Sequence, residues 1–214
     1  MPYRFFQRLI HCSLLLCLLV LAPLSAADEP PSLLVLGDSL SAAYGIDESE
    51  GWVQLMAEKL EAEGYPHRVI NASVSGETSE GGLNRLPKLL KRHQPEWVLL
   101  ELGGNDGLRG YPLSQLEENL TRAIERIRAS GARVILLGMQ IPPNYGSRYA
   151  GQFADLFPTL AEDLDLPFVT FMLEGIATND QYMQGDGIHP NAKAQPLILD
   201  NVWPGLQAEL KAAE

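Results

Sequence analysis

Five short apolar runs, about 30 residues apart and separated by amphipathic stretches, constrain this chain more than any other feature. Ser32-Leu33-Leu34-Val35-Leu36 is closed by Gly37-Asp38. Similar runs lie at Arg68 to Asn71, Trp97 to Leu102, Val134 to Leu137 and Phe168 to Phe171. Runs without polar alternation suit strands buried on both faces, as in a parallel sheet. The segments between them carry helical spacing. The clearest sets Leu113, Leu116, Leu120, Ile124 and Ile127 at steps of three and four, with Glu117, Glu118, Arg122, Glu125 and Arg126 on the other side. Trp52, Leu55, Met56 and Leu60 mark a second helix, and Leu83, Leu86, Leu89 and Leu90 a third. Parallel neighbours need crossover connections, so the alternation predicts one three-layer α/β/α domain around a parallel sheet of about five strands. Sites in such sheets form beyond the carboxyl ends of the strands.

Four segments in those places carry chemistry-bearing residues. Gly37-Asp38-Ser39-Leu40-Ser41 follows the first run, where Ser39 would stand near the start of a helical turn with its hydroxyl toward the cleft. Taken alone, Asp and Ser there read equally well as helix caps. Asn71-Ala72-Ser73-Val74-Ser75-Gly76-Glu77-Thr78 follows the second run, and Gly76 serves either a turn or a close backbone approach to a ligand. Leu102-Gly103-Gly104-Asn105-Asp106-Gly107 follows the third. It suits a plain loop or a phosphate cradle, but the lysine and spacing of a P-loop are missing. Near the C-terminus, Asp186-Gly187-Ile188-His189-Pro190 can bring a carboxylate to the imidazole Nδ1–H and leave Nε2 as a base. Pro190 would begin a closing helix. The other histidines beyond the leader, His67 and His93, lack acidic sequence neighbours or sit at a polar helix end, so no metal site is expected. Together the segments supply a nucleophile, a base, an orienting acid and donors for an oxyanion. The G-x-S-x-G signature is absent, since the fifth position is Ser41, which argues against the α/β-hydrolase fold but not against a triad.

The N-terminus bounds the compartment. Arg4 and Arg8 precede the unbroken apolar stretch Leu14 to Ala22, and Ser25-Ala26-Ala27 follows, which is the pattern of a cleaved secretory signal over residues 1–27. An uncleaved membrane anchor would need about 20 apolar residues, and this run is interrupted by His11 and Ser13 and ended by Pro23. A lipoprotein signal at Cys17 is disfavoured by Leu16. Both cysteines, Cys12 and Cys17, fall inside the leader, which excludes thiol nucleophiles, thiolate metal sites and disulfides from residues 28–214. Removing the leader leaves 14 basic against 27 acidic residues, a net charge of −13 that disfavours nucleic acid as a partner. No membrane span is expected after cleavage. The periplasm, or the space beyond it, is the expected location.

These blocks resemble the SGNH (GDSL) hydrolase superfamily, with Gly37-Asp38-Ser39-Leu40, Gly76, Gly103-Gly104-Asn105-Asp106 and Asp186-Gly187-Ile188-His189 in order. Leu86 to Pro95, Trp97 to Gly110 and Gly187 to Pro196 further resemble its bacterial periplasmic branch of thioesterase, protease, lysophospholipase and arylesterase enzymes. The resemblance implies a flavodoxin-like fold over residues 28–214 and no cofactor. It also implies Ser39 as nucleophile, His189 as base and Asp186 as its orienter, with Ser39 N–H, Gly76 N–H and the Asn105 amide as the oxyanion hole. Expected substrates are acyl esters, thioesters or lysophospholipids, handled by a monomer. Gly138 to Gly146, with Ile141 and Pro142, is expected to border the acyl groove. Two other readings stay open: a cell-wall carbohydrate acetylesterase of the same fold, and a non-catalytic lipid- or glycan-binding module.

Overall fold

The computed structural model describes residues 30–212, so the expected leader at 1–27 lies outside the described residues. One parallel sheet contains β1 (Ser32–Gly37), β2 (Arg68–Asn71), β3 (Trp97–Glu101), β4 (Arg133–Leu137) and β5 (Phe168–Val169), in the order β2-β1-β3-β4-β5. Around it lie α1 (Trp52–Ala62), α2 (Ser79–His93), α3 (Gly104–Leu108), α4 (Leu113–Ala129), α5 (Ser147–Asp163) and α6 (Gln195–Ala212). This strand order is the flavodoxin-like one. Among the described residues, no helix is long and apolar enough to cross a membrane.

The period of two along each strand divides the interior into two cores. Leu34, Leu36, Val98, Leu100, Val134 and Leu136 face α2, α4 and α5, where they meet Leu86, Leu120, Ile124, Phe153 and Phe157. Leu33, Val35, Trp97, Leu99, Ile135 and Leu137 face α1 and α6, against Trp52, Met56, Ile198 and Leu206. Burial on both sides is why these strands read as unbroken apolar runs, and each fully buried Leu or Ile contributes about 1.5–3 kcal/mol.

Local signals set the helix ends. Thr78 caps α2 by accepting the Gly81 N–H at 3.2 Å, while Lys91, Arg92 and His93 sit in its last turn, where the dipole favours cations. Pro87 inside α2 cannot donate to the Leu83 carbonyl, which instead accepts from Arg126 of α4 at 3.1 Å. Two expectations need correction. The fifth strand stops at Val169 instead of reaching Phe171. The closing helix begins at Gln195 after a 3₁₀ turn capped by Asn191, and Pro190 instead bridges to Met183. Asn191 is the better cap, because its side chain accepts the Lys193 N–H at 3.0 Å.

β1 pairs with β2 on one side and β3 on the other. Their carboxyl ends therefore bound the switch point of the sheet, where a crevice opens.

Candidate active site

Beyond β1 the chain turns at once. Ala42 N–H donates to the Asp38 carbonyl at 3.0 Å and Tyr44 N–H to the Ser39 carbonyl at 3.2 Å, while Asp38 Oδ1 accepts the Leu40 N–H at 3.0 Å. Ser39 thus stands on a single helical turn, which the positive φ of Ala43 (54°) and Gly45 (76°) ends. Gly37 is required by contact, since a Cβ there would come within 2.3 Å of Glu101 Oε2.

The loop before α6 delivers the acid and the imidazole. Asp186 Oδ1 accepts the N–H groups of Ile188 (2.9 Å) and His189 (3.0 Å), and Oδ2 accepts from His189 Nδ1 at 2.7 Å. With Nδ1 so engaged, Nε2 is the acceptor for the Ser39 hydroxyl at 2.9 Å. The backbone N–H and then the ring of His189, followed by the Ile188 N–H, hold the Asp186 carboxyl down to about 2. Gln184 fastens this loop to the serine turn. Its Nε2 donates to the Tyr44 carbonyl at 2.7 Å and the Pro190 carbonyl at 3.0 Å, and its N–H donates to the His189 carbonyl at 2.7 Å. The Tyr44 ring lies 4.5 Å from the imidazole, centroid to centroid.

Asn105 enters from the first turn of α3 and donates from Nδ2 to Asp38 Oδ2 at 2.9 Å. Its neighbour Asp106 turns the other way. Asp106 accepts both the N–H (2.8 Å) and the hydroxyl (2.6 Å) of Ser79, whose Oγ also accepts from Asn119 at 3.0 Å. That buried network ties the start of α2 to α3. Gly76, at φ 80°, takes a hydrogen bond from Arg109 on its carbonyl at 3.1 Å. Among the described residues, neither Ser39 N–H nor Gly76 N–H has an acceptor. Beneath Ser39, burial pushes the Asp38 carboxyl up to about 6, and burial with the neighbouring Asp38 charge pushes Glu101 well above the ordinary carboxylate range.

A cleft of about 490 Å³ opens from Ser39, Asn105 and His189, with Ile141 and Pro142 in its lining. Gly76 stands outside its lining. Phe171, Met172, Leu173 and Met183, also in the lining, were not read from sequence, although the first three follow β5 as a site rule for parallel sheets demands. Glu101 and Gln184 were equally unread, and Asp38 was read only as a helix cap. His67, which has no acidic neighbour in sequence, comes within 3.3 Å of Glu96. Among the described residues, no group of three or more His, Cys, Asp or Glu is placed to hold a metal ion.

Residues 35–196 match the GDSL-like Lipase/Acylhydrolase family. The chain is 51% identical over 189 residues to an esterase, TesA, of Pseudomonas aeruginosa, covering 88% of this chain and 93% of that protein. It is 45% identical over 199 residues to thioesterase 1/protease 1/lysophospholipase L1 of Escherichia coli K12, covering 93% and 92%. A crystal structure of the psychrotrophic esterase EstA from a Pseudoalteromonas species, inhibited by monoethylphosphonate, superposes with a TM-score of 0.81 at 45% identity, covering 84% of this chain and 98% of that one.

Proposed function

Because the chain belongs to the GDSL-like lipase/acylhydrolase family, we propose that it is an exported serine hydrolase that cleaves acyl esters and thioesters, lysophospholipids among them. The observation that carries this reading is the continuous hydrogen-bonded path from Asp186 through His189 to Ser39 Oγ, opening onto a cleft walled by Ile141, Phe171, Met172 and Leu173. The names of the two enzymatic relatives support the substrate class.

In this mechanism His189 Nε2 takes the Ser39 proton as Oγ attacks the acyl carbonyl. The imidazolium is stabilised by Asp186, and it returns the proton to the leaving alcohol or thiol. Water, deprotonated by the same nitrogen, then attacks the acyl-enzyme and releases the carboxylic acid. The negative oxygen formed at each addition is met by the N–H groups of Ser39 and Gly76 and by the Asn105 amide, donors that gain strength as charge develops. A cleft of about 490 Å³ leaves room for an acyl chain longer than the acetyl group of a carbohydrate esterase. Export is supported by Arg4, Arg8, the apolar stretch Leu14 to Ala22 and Ser25-Ala26-Ala27.

A fluorophosphonate should modify Ser39 of the wild type, located by mass spectrometry, and leave Ser39→Ala unlabelled, with kcat lowered on the order of 10⁶-fold. Labelling at another residue, or an active alanine variant, would sink the assignment. A panel of esters and thioesters of graded chain length then separates long-chain from acetyl preference.

A further inference from the structure

Asp38 and Glu101 are acids that the mechanism leaves unused, and they lie directly under the reacting residues. β1 and β3 pair in register at Gly37 and Glu101, so the first residue past β1 meets the last residue of β3. Glu101 is fully buried and Asp38 is 2% exposed. Glu101 Oε2 accepts the Asp38 N–H at 3.0 Å and the Ser41 hydroxyl at 2.6 Å, while buried Oε1 has no donor among the described residues. Both oxygens of Asp38 are engaged, Oδ1 by the Leu40 N–H and Oδ2 by Asn105 Nδ2. The two groups are joined through the Asp38 N–H, and the Asp38 charge acts on Glu101 in a site that burial has stripped of water. Two carboxylates do not face each other in a dry site without a cation or a shared proton. Among the described residues, the only cation-forming neighbour that acts on the pair is His189, and it acts on Asp38.

We propose that Glu101 holds a proton on Oε1 and donates it as a hydrogen bond to the Asp38 carboxylate, and that this pair positions the Asn105 amide with an N–H toward the acyl oxygen. The inference rests on the reading of Asn105 as an oxyanion donor. An amide has a donor end and an acceptor end of nearly equal shape, so packing alone does not choose between them. A flipped Asn105 would set its oxygen against the developing negative charge. An ionised Asp38 Oδ2, which can only accept, admits the NH₂ end alone. Deeper burial of Glu101, with the Asp38 charge beside it, keeps the proton on Glu101, whereas the N–H groups of Leu40 and Asn105 favour the anion on Asp38. Ser41 and the Asp38 N–H both donate to Glu101 Oε2, which leaves Oε1 as the seat of the proton.

The test uses the whole enzyme, a soluble short-chain ester, and the variants Glu101→Gln, Glu101→Met, Asp38→Asn and Asn105→Ala. The infrared difference spectrum between wild type and Glu101→Gln near neutral pH should contain the C=O stretch of a buried carboxylic acid. Absence of that band overturns the proposal. Glu101→Met should lower kcat by roughly 10- to 100-fold with KM little changed, and Glu101→Gln, whose amide donates to Asp38 and accepts from Ser41, should recover most of the loss. Equal impairment of the two would overturn the positioning role. Asp38→Asn should lower kcat, and should cost nothing further when added to Asn105→Ala, since it acts through that amide. Fully additive losses would assign Asp38 to a structural role and defeat the inference. Unchanged kcat in Asn105→Ala defeats the oxyanion reading itself. A loss there without any loss in Asp38→Asn defeats the positioning proposal alone.

Discussion

Asn105 has one amide N–H committed to Asp38 and lines the cleft beside Ser39 and His189, so its second N–H can serve an oxyanion. If it does, Asn105→Ala lowers kcat by roughly 10²–10³, about 3–4 kcal/mol, while KM and Tm stay near their wild-type values. If the side chain only stabilises the first turn of α3, stability falls by about 1 kcal/mol and kcat is little altered. Steady-state kinetics and a thermal melt on this variant decide the matter. The residues of the proposed triad stood out in sequence because each sits in a block whose neighbours point to a turn, a cap or a close approach. Glu101 was not legible, because one acid at the end of an apolar run looks like the edge of a strand. Its meaning appears only through the register that sets it against Gly37 and Asp38.

Elements were read from sequence in proportion to how far burial dictates their pattern. β1, β3 and β4 are buried almost throughout and stood out as apolar runs, and α4 keeps a regular stripe from Leu116 to Ile127. α5 was not singled out, because Gly151 and Pro158 interrupt it, although Phe153, Phe157 and Leu160 hold the buried spacing. The closing helix began later than expected because a 3₁₀ turn and its Asn191 cap absorb the residues after Pro190. Joints between elements are harder still to read, and the joint between α2 and α3 is testable. Asp106→Ala would strand the Ser79 N–H and hydroxyl in a buried setting, with an expected cost of about 2–4 kcal/mol in a denaturant titration. A loss under about 0.5 kcal/mol would show that Ser79 finds other partners.

At the scale of the whole molecule, stability should carry the signature of the two buried acids. Asp38 titrates at about 6 in the fold against an ordinary 3.8, and Glu101 well above its ordinary 4.5. Between the unfolded and folded values the folded state binds more protons, so stability is greatest on the acid side and falls as pH rises through about 6. Asp186 acts outside that window, because its depressed value of about 2 removes stability only as the solution becomes strongly acid. The net charge of −13 on residues 28–214 adds self-repulsion of the same sign as the buried pair. Melting temperatures should therefore decline from mildly acid to mildly alkaline solution, and Glu101→Gln should flatten the decline. A rise over that interval in the wild type would contradict the assignment. Ser39 and His189, which meet across 2.9 Å, are 150 residues apart along the chain. During synthesis the serine emerges first and waits without its imidazole until 150 further residues have been made. On the proposed mechanism a chain cut short before His189 has no base for Ser39, so hydrolytic competence would await the residues that follow β5.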